Sequence, residues 1–310
     1  MSGDLAGLVA SLAPPYAFCG IAVQQAVQQA GQAAQFHLAT APGIAADENS
    51  LFRAASISKI VTGQVLAKLS AGKVGLNPPY LSVDISDVLG LTLRHPAWPD
   101  TPLTLGMIAS HSASLSDAGG YQVPHGTGLQ VWLANRPNLF TPHKPGTAFE
   151  YCNLGYILLA AAAETLSGQR FDHLTRDLLL GPRGITGGFN WSGVSASDRQ
   201  RSLPSFRRDG TRLLPQIDAT VPPEGLVSGT SIIELPPDYR TGTDTALLAP
   251  QGGLRTSLAG MLALANALAD MDQTALWTPD MGSMDPCGGL FDSYGWGLQI
   301  LRRHPFTRAR

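Results

Sequence analysis

The stretch Leu51-Phe52-Arg53-Ala54-Ala55-Ser56-Ile57-Ser58-Lys59 decides how this chain is read. After Ser56 the apolar residues Ile57, Ile60, Val61, Val65, Leu66 and Leu69 recur at helical spacing, so an amphipathic helix is expected to open at the serine. Lys59 then lies one turn behind it, and residues three apart share a helix face. A free serine is a weak nucleophile that an adjacent amine or phenolate activates. The helix N-terminus adds partial positive charge where an acyl oxyanion would form. This S-x-x-K points to acyl transfer through a serine; the plainer alternative is an ordinary helix-capping serine.

Alone, the pattern is weak: with 23 serines and four lysines in 310 residues, chance supplies ~0.3 matches. A second match, Ser70-Ala71-Gly72-Lys73, has the wrong context. Gly72 is expected to end the helix in the left-handed region, and no apolar helical face follows Lys73. A second constellation, Phe149-Glu150-Tyr151-Cys152-Asn153, leads into the apolar run from Leu154 to Ala163 and closes at Ser167-Gly168. Tyr151 and Asn153 thus bring a phenol and a carboxamide into one turn entering a core helix. The phenol titrates near ~10 in water and needs a neighbouring cation to act as a base near neutrality. Lys59 is the candidate cation, and Asn153 offers both a donor and an acceptor. A third piece, Ala249-Pro250-Gln251-Gly252-Gly253-Leu254-Arg255-Thr256-Ser257, combines close-approach glycines with a capping Thr256 or Ser257, and nothing in it needs to be catalytic.

Taken in order, these three pieces resemble the serine β-lactamase-related family, which includes class C β-lactamases, D-Ala-D-Ala carboxypeptidases, D-aminopeptidases and β-lactamase-like esterases. Met107 to Leu115 is similar to that family's "LLTHTSGL" segment, with the Thr-Ser-Gly altered. The resemblance runs from about Phe18 to Leu301. It implies that Ser56 is the nucleophile, Lys59 its partner, Tyr151 the base and Asn153 a substrate-side ligand. It also implies an α/β (α+β) fold of the β-lactamase/transpeptidase type, an antiparallel sheet flanked by helices with an inserted, mostly helical lobe. On that pattern, 1–310 is one β-lactamase-related domain, with a sheet layer from about 14–55 and 250–301 and a helical and loop lobe over about 75–248.

Members of the family carry a third motif, His-x-Gly or Lys-Thr-Gly, on a strand after the Gly-Gly helix. Here Tyr294 to Leu301 is followed by Arg302-Arg303-His304-Pro305, with no such triplet. Arg240-Thr241-Gly242 and His125-Gly126-Thr127 mimic it in the wrong places. The expectation is therefore a chain whose C-terminal strands are missing, through truncation or as a short form. The competing function is a non-catalytic family member that keeps the pocket without efficient turnover.

Composition narrows the classes. A charged fraction of 14% and a hydrophobic fraction of 44% fit a well-buried globular chain rather than a disordered one. A net charge of −2 and the lack of a basic patch give no reason to expect nucleic acid. Cys19, Cys152 and Cys287 form an odd set without metal spacing, the seven histidines are scattered, and no metal or cofactor is expected. Cys152 reads as a core residue facing away from the cleft. No apolar run reaches membrane-spanning length. Met1 to Leu12 holds Asp4 and no basic residue, so no signal peptide is evident. A cytoplasmic location is the expectation, and a periplasmic one follows if the true start lies upstream. The implied partner is a small-molecule ester, amide or peptide substrate, and the sequence sets no oligomeric state.

Along the chain, Phe18–Val27 and 33–39 read as early strands and Leu105–Ser110 and Leu129–Ala134 as short helices. The Gly-, Pro- and Arg-rich segment from Phe171 to Leu248 reads as loops and short helices at the cleft mouth.

Overall fold

A computed structural model describes residues 4–12, 18–23, 35–40, 45–72, 79–203, 205–210, 212–216, 234–271, 274–276, 278 and 291–300. Helix α1 (Leu5–Leu12) lies against the antiparallel pair β1 (Phe18–Val23) and β2 (Gln35–Thr40), in which Phe18 faces Thr40 and Val23 faces Gln35. These are the two early strands expected from the sequence; the turn between them lies outside the described residues. Strand β3 (Phe52–Arg53) and a 3-10 turn, Ala55–Ile57, then lead into α2 (Ser58–Gly72).

Helices α3 (Ile85–Leu89), α4 (Leu105–Ala109), α5 (Leu129–Ala134), α6 (Asn153–Ser167) and α7 (Phe171–Thr175) build the helical part. Strand β4 (Gly187–Phe189), α8 (Ala196–Gln200) and the pair β5 (Ser205–Asp209) and β6 (Arg212–Gln216) follow. The last described elements are β7 (Leu254–Thr256), α9 (Leu258–Asn266), β8 (Ser293–Gly295) and β9 (Leu298–Ile300). Every strand pairing among the described residues is antiparallel, as the expected fold class requires. Among the described residues the strands form four separate sheets, β1–β2, β3–β7–β4, β5–β6 and β8–β9.

The core is organised around α2 and α6, which pack against each other. All residues from Leu154 to Glu164 of α6 are buried, and the four alanines from 160 to 163 keep the helix thin enough for neighbours to approach on every side. The helix stops at Gly168, whose φ of 71° lets its N–H return to the Glu164 carbonyl at 2.8 Å.

Helix α2 departs from expectation. It is not amphipathic over its first turns: from Ser58 to Ala67 only Ile60 escapes full burial, and Ile57 precedes the helix and is 38% exposed. The cause is tertiary. With α6 on one flank, the turn between β8 and β9 presses the Trp296 carbonyl onto Gly63, where a Cβ would collide. The polar residues so buried are bonded: Ser58 Oγ accepts from Leu254 N–H at 2.9 Å, and Thr62 Oγ1 donates to the Pro250 carbonyl at 2.7 Å.

The second S-x-x-K is structural. Ser70 Oγ donates to the Leu66 carbonyl at 2.8 Å within α2, Gly72 is the helix's last residue rather than a left-handed residue beyond it, and Lys73 lies outside the described residues. Between Phe171 and Leu248 the short helices were expected, but strand β4 and the β5–β6 hairpin were not. The hairpin's signal was present in Gly210, whose left-handed φ of 58° suits the first position of a two-residue turn. Residues 217–233 and 301–310 lie outside the described residues.

Candidate active site

Ser56 is exposed and sits in the 3-10 turn, two residues ahead of the first residue of α2. The residue before it, Ala55, has φ of 47°, a left-handed conformation unusual for a residue with a side chain. This sharp turn lets the serine project at the entrance of α2 instead of continuing β3. Replacing Ala55 by Gly is expected to leave the melting temperature close to wild type, whereas Ala55→Val should destabilise by about 1–2 kcal/mol. Thermal unfolding of both variants checks this, and equal effects would show that the turn carries no strain.

Around Ser56 the structure brings together the residues expected from the sequence. Tyr151 Oη donates to Ser56 Oγ at 2.8 Å, and Lys59 Nζ lies 3.4 Å from the same oxygen. Lys59 also donates to Asn153 Oδ1 and to the Gln251 carbonyl, each at 2.8 Å. Its ammonium lies 4.7 Å from the Tyr151 ring centre and 5.6 Å from that of Tyr156. Lys59 is 1% exposed while Tyr151 is 39% exposed, so the amine is held inside and the phenol forms part of the rim.

The third segment acts through its backbone. Strand β7 pairs with β3, Arg53 opposite Arg255, and Ala54 N–H donates to the Leu254 carbonyl at 2.8 Å. This pairing lays Pro250 and Gln251 along the start of α2, and Arg53 Nε fastens the turn by donating to the Gly252 carbonyl at 2.7 Å. The Gln251 carbonyl is a lysine-holding group that side-chain reasoning could not find, since any residue supplies it. Of the two expected caps, Ser257 is the one used, accepting from Gly260 N–H at 3.1 Å.

Two further residues were missed. His111, in the segment similar to "LLTHTSGL", is buried with φ of 58°; its Nδ1 accepts from Cys152 N–H at 3.1 Å and its carbonyl from Glu150 N–H at 2.7 Å. Its ring stacks 4.6 Å from that of Tyr151 and 5.1 Å from that of Tyr156. Asp117 accepts from both the backbone N–H and Nδ2 of Asn153, each at 2.8 Å. The mimics of a third motif lie elsewhere in structural contacts: Gly242 N–H donates to Glu164 at 2.6 Å, and His125 Nε2 is 3.5 Å from Asp238.

The beta-lactamase family model matches residues 20–304. The chain belongs to the beta-lactamase family. Penicillin-binding protein 4 of Amycolatopsis lactamdurans is 28% identical over 147 residues, 46% of this chain and 37% of that protein. The D-alanyl-D-alanine-carboxypeptidase/endopeptidase AmpH of Escherichia coli K12 is 29% identical over 153 residues, 44% of this chain and 36% of the relative. The matched part thus spans little more than a third of either relative. Among solved structures, the D-amino acid amidase of Ochrobactrum anthropi SV3 superposes with a TM-score of 0.63 at 16% identity, over 96% of this chain and 79% of the amidase. The beta-lactamase/D-alanine carboxypeptidase of Yersinia pestis gives 0.51 at 20% identity, over 80% and 61%. These likenesses establish the fold.

Electrostatics in this family member runs against one expectation. Lys59 was expected to draw the Tyr151 phenol downward, but burial holds that phenol above its usual range. The lysine is displaced too, in the opposite direction: burial lowers it to about 8, with Asp117 and Cys152 opposing the shift. His111 is pushed down to about 3 by burial and by Lys59, so its imidazole is neutral with the proton on Nε2, the nitrogen not accepting from Cys152. Cys152 is 2% exposed, donates its thiol to Asp117 at 3.3 Å and is pushed well up by burial, which makes it an inert thiol. No helix among the described residues is long and apolar enough to cross a membrane.

Proposed function

We propose that this protein is a serine hydrolase that forms an acyl-enzyme on Ser56 from an ester, amide or peptide carbonyl. One observation carries the reading: an exposed serine hydroxyl is flanked by a phenol at 2.8 Å and by a buried, pKa-lowered amine at 3.4 Å. As an ammonium, Lys59 has three protons for three oxygens. As a neutral amine it has two, which match Asn153 Oδ1 and the Gln251 carbonyl and leave the lone pair for Ser56. Lys59 is therefore the proton acceptor in this proposal, and Tyr151, kept protonated, is the donor on the rim.

The Ser56 proton passes to Lys59 as Oγ bonds to the carbonyl carbon. The proton then goes to the leaving amine or alkoxide, by way of Tyr151 at the rim, as that bond breaks. Water then gives a proton to the same pair as its oxygen bonds to the acyl carbon, and the pair returns that proton to Ser56 Oγ as the Oγ–acyl bond breaks and the acid leaves. The positive end of α2 faces the developing oxyanion. The names of the relatives, a D-alanyl-D-alanine carboxypeptidase and a D-amino acid amidase, favour D-configured amides and peptides as the first substrates to try.

Intact-mass analysis after treatment with a fluorophosphonate tests the proposal. One adduct is expected, mapping to Ser56, lost in Ser56→Ala and retained in Ser70→Ala, whose hydroxyl is spent inside α2. An adduct that survives Ser56→Ala removes Ser56 from the role.

A further inference from the structure

Asn153 presents its amide oxygen, not its nitrogen, to Lys59, and the cause lies 36 residues earlier in the chain. The Asp117 carboxylate receives four donors. Oδ2 accepts the N–H and Nδ2 of Asn153, each at 2.8 Å, and Oδ1 accepts the N–H of Leu154 at 3.1 Å and the Cys152 thiol at 3.3 Å. Helix α6 has no side-chain cap of its own, because Cys152 occupies the capping position. Its first N–H groups would otherwise lack partners, and Asp117 reaches in from a distant loop to take two of them.

The amide between Asp117 and Lys59 has only one satisfying orientation. A carboxylate accepts and an ammonium donates, so Nδ2 must face the first and Oδ1 the second. We propose that Asp117 is a positioning residue, locking Asn153 so that its Oδ1 holds the Lys59 amine beside Ser56, an inference that rests on the acyl-transfer reading above. Asp117 is not available as an anchor for a substrate's ammonium group, because both its oxygens are already engaged within the fold.

Its charge acts as well. Lys59 is faced by the rings of Tyr151 and Tyr156, the Cys152 thiol, neutral His111 and the Asp117 carboxylate, with only a carbonyl from the Gln251 turn. Of these, the Asp117 carboxylate is the group that most favours the ammonium. Removing its charge lowers the Lys59 titration point further.

The test uses D117N, D117E, N153A and the double variant D117N/N153A in the full chain, read by ester kcat/KM against pH and by NMR titration of isotopically labelled lysine. The chain has four lysines, so the spectrum is simple to assign. D117N should lose about 10²-fold in plateau kcat/KM, the scale of a misplaced catalytic group. Its Lys59 midpoint should also fall below about 8. D117E keeps the charge and moves the carboxylate, so it should lose rate with little change in the midpoint. In the N153A background, D117N should cost less than about threefold, since its route to Lys59 is gone. An unchanged rate and midpoint in D117N, or an equal cost with and without Asn153, overturns the proposal. If D117N does not fold, an unchanged rate in D117E does so. A wild type that neither hydrolyses nor labels at Ser56 counts against the acyl-transfer reading instead, while the NMR comparison still decides the role of Asp117.

Discussion

Lys59→Met is expected to lower kcat/KM for ester hydrolysis by about 10³- to 10⁴-fold, the upper part of the range for losing a general base. Methionine keeps most of the packing volume and removes the amine. In the wild type, the active form is neutral Lys59, which titrates at about 8, so kcat/KM should rise tenfold per pH unit below that value and level above it. Stability should carry the same signature. Below pH about 8 the folded and unfolded chains both hold the lysine proton, and this group gives no slope. Between about 8 and the ordinary 10.5 the unfolded chain holds a proton that the folded chain has released, so stability rises with pH. The full rise is about 3 kcal/mol at about 1.4 kcal/mol per unit. Urea unfolding of both proteins at pH 7 and above 10 should show the wild type gaining about 3 kcal/mol relative to Lys59→Met, because the raised Cys152 thiol and Tyr151 phenol, which act in the opposite direction, are common to both. A difference between the two that is constant in pH would mean that Lys59 is not displaced, and would remove it as the base.

Glu164→Ala is expected to destabilise the fold by about 3–5 kcal/mol, the cost of leaving several buried donors without an acceptor. The carboxylate is fully buried near the end of α6 and accepts from Phe171 N–H at 2.7 Å, Tyr239 Oη at 2.7 Å, Gly242 N–H at 2.6 Å and Thr245 Oγ1 at 2.5 Å. Burial raises its pKa and the four donors pull it back, with burial the larger effect. These bonds tie the 239–245 segment to α6, and the 3-10 turn Thr245–Leu248 then delivers the chain to Gln251 and its lysine-holding carbonyl. Glu164→Gln, which keeps one acceptor oxygen, should lose roughly half as much. Denaturant unfolding measures both, and an alanine variant within about 1 kcal/mol of wild type would show that water replaces the carboxylate at little cost.

Ser56, Lys59, Tyr151 and Asn153 were legible as candidates because the S-x-x-K and Tyr-x-Asn spacings set each pair within one turn of a recognisable helix start. Asp117 and His111 were not legible in the same way. Asp117 caps a helix from 36 residues away, and a sequence shows caps only when they are local. His111 acts through one ring nitrogen and one carbonyl on the 150–152 backbone, and stacks on Tyr151, contacts with no spacing rule. The Gln251 contribution is a main-chain carbonyl and is invisible in residue types.

Helix positions, the Gly168 stop and the Ser257 cap follow from local periodicity, left-handed glycine and capping chemistry, all of which operate within a few residues, whereas the antiparallel class came only with the family resemblance. The family membership follows from three such local phrases in fixed order. Tertiary structure alone decided that the first turns of α2 are buried nearly all round, because what covers them includes α6 and the Trp296 turn, from chain segments roughly 100 and 230 residues further on. It also decided that burial lowers the lysine and raises the phenol, so that the amine and not the phenolate is the proposed base. Burial depth separates Lys59, 1% exposed, from Tyr151, 39% exposed, and desolvation acts on depth, which no spacing in the sequence encodes.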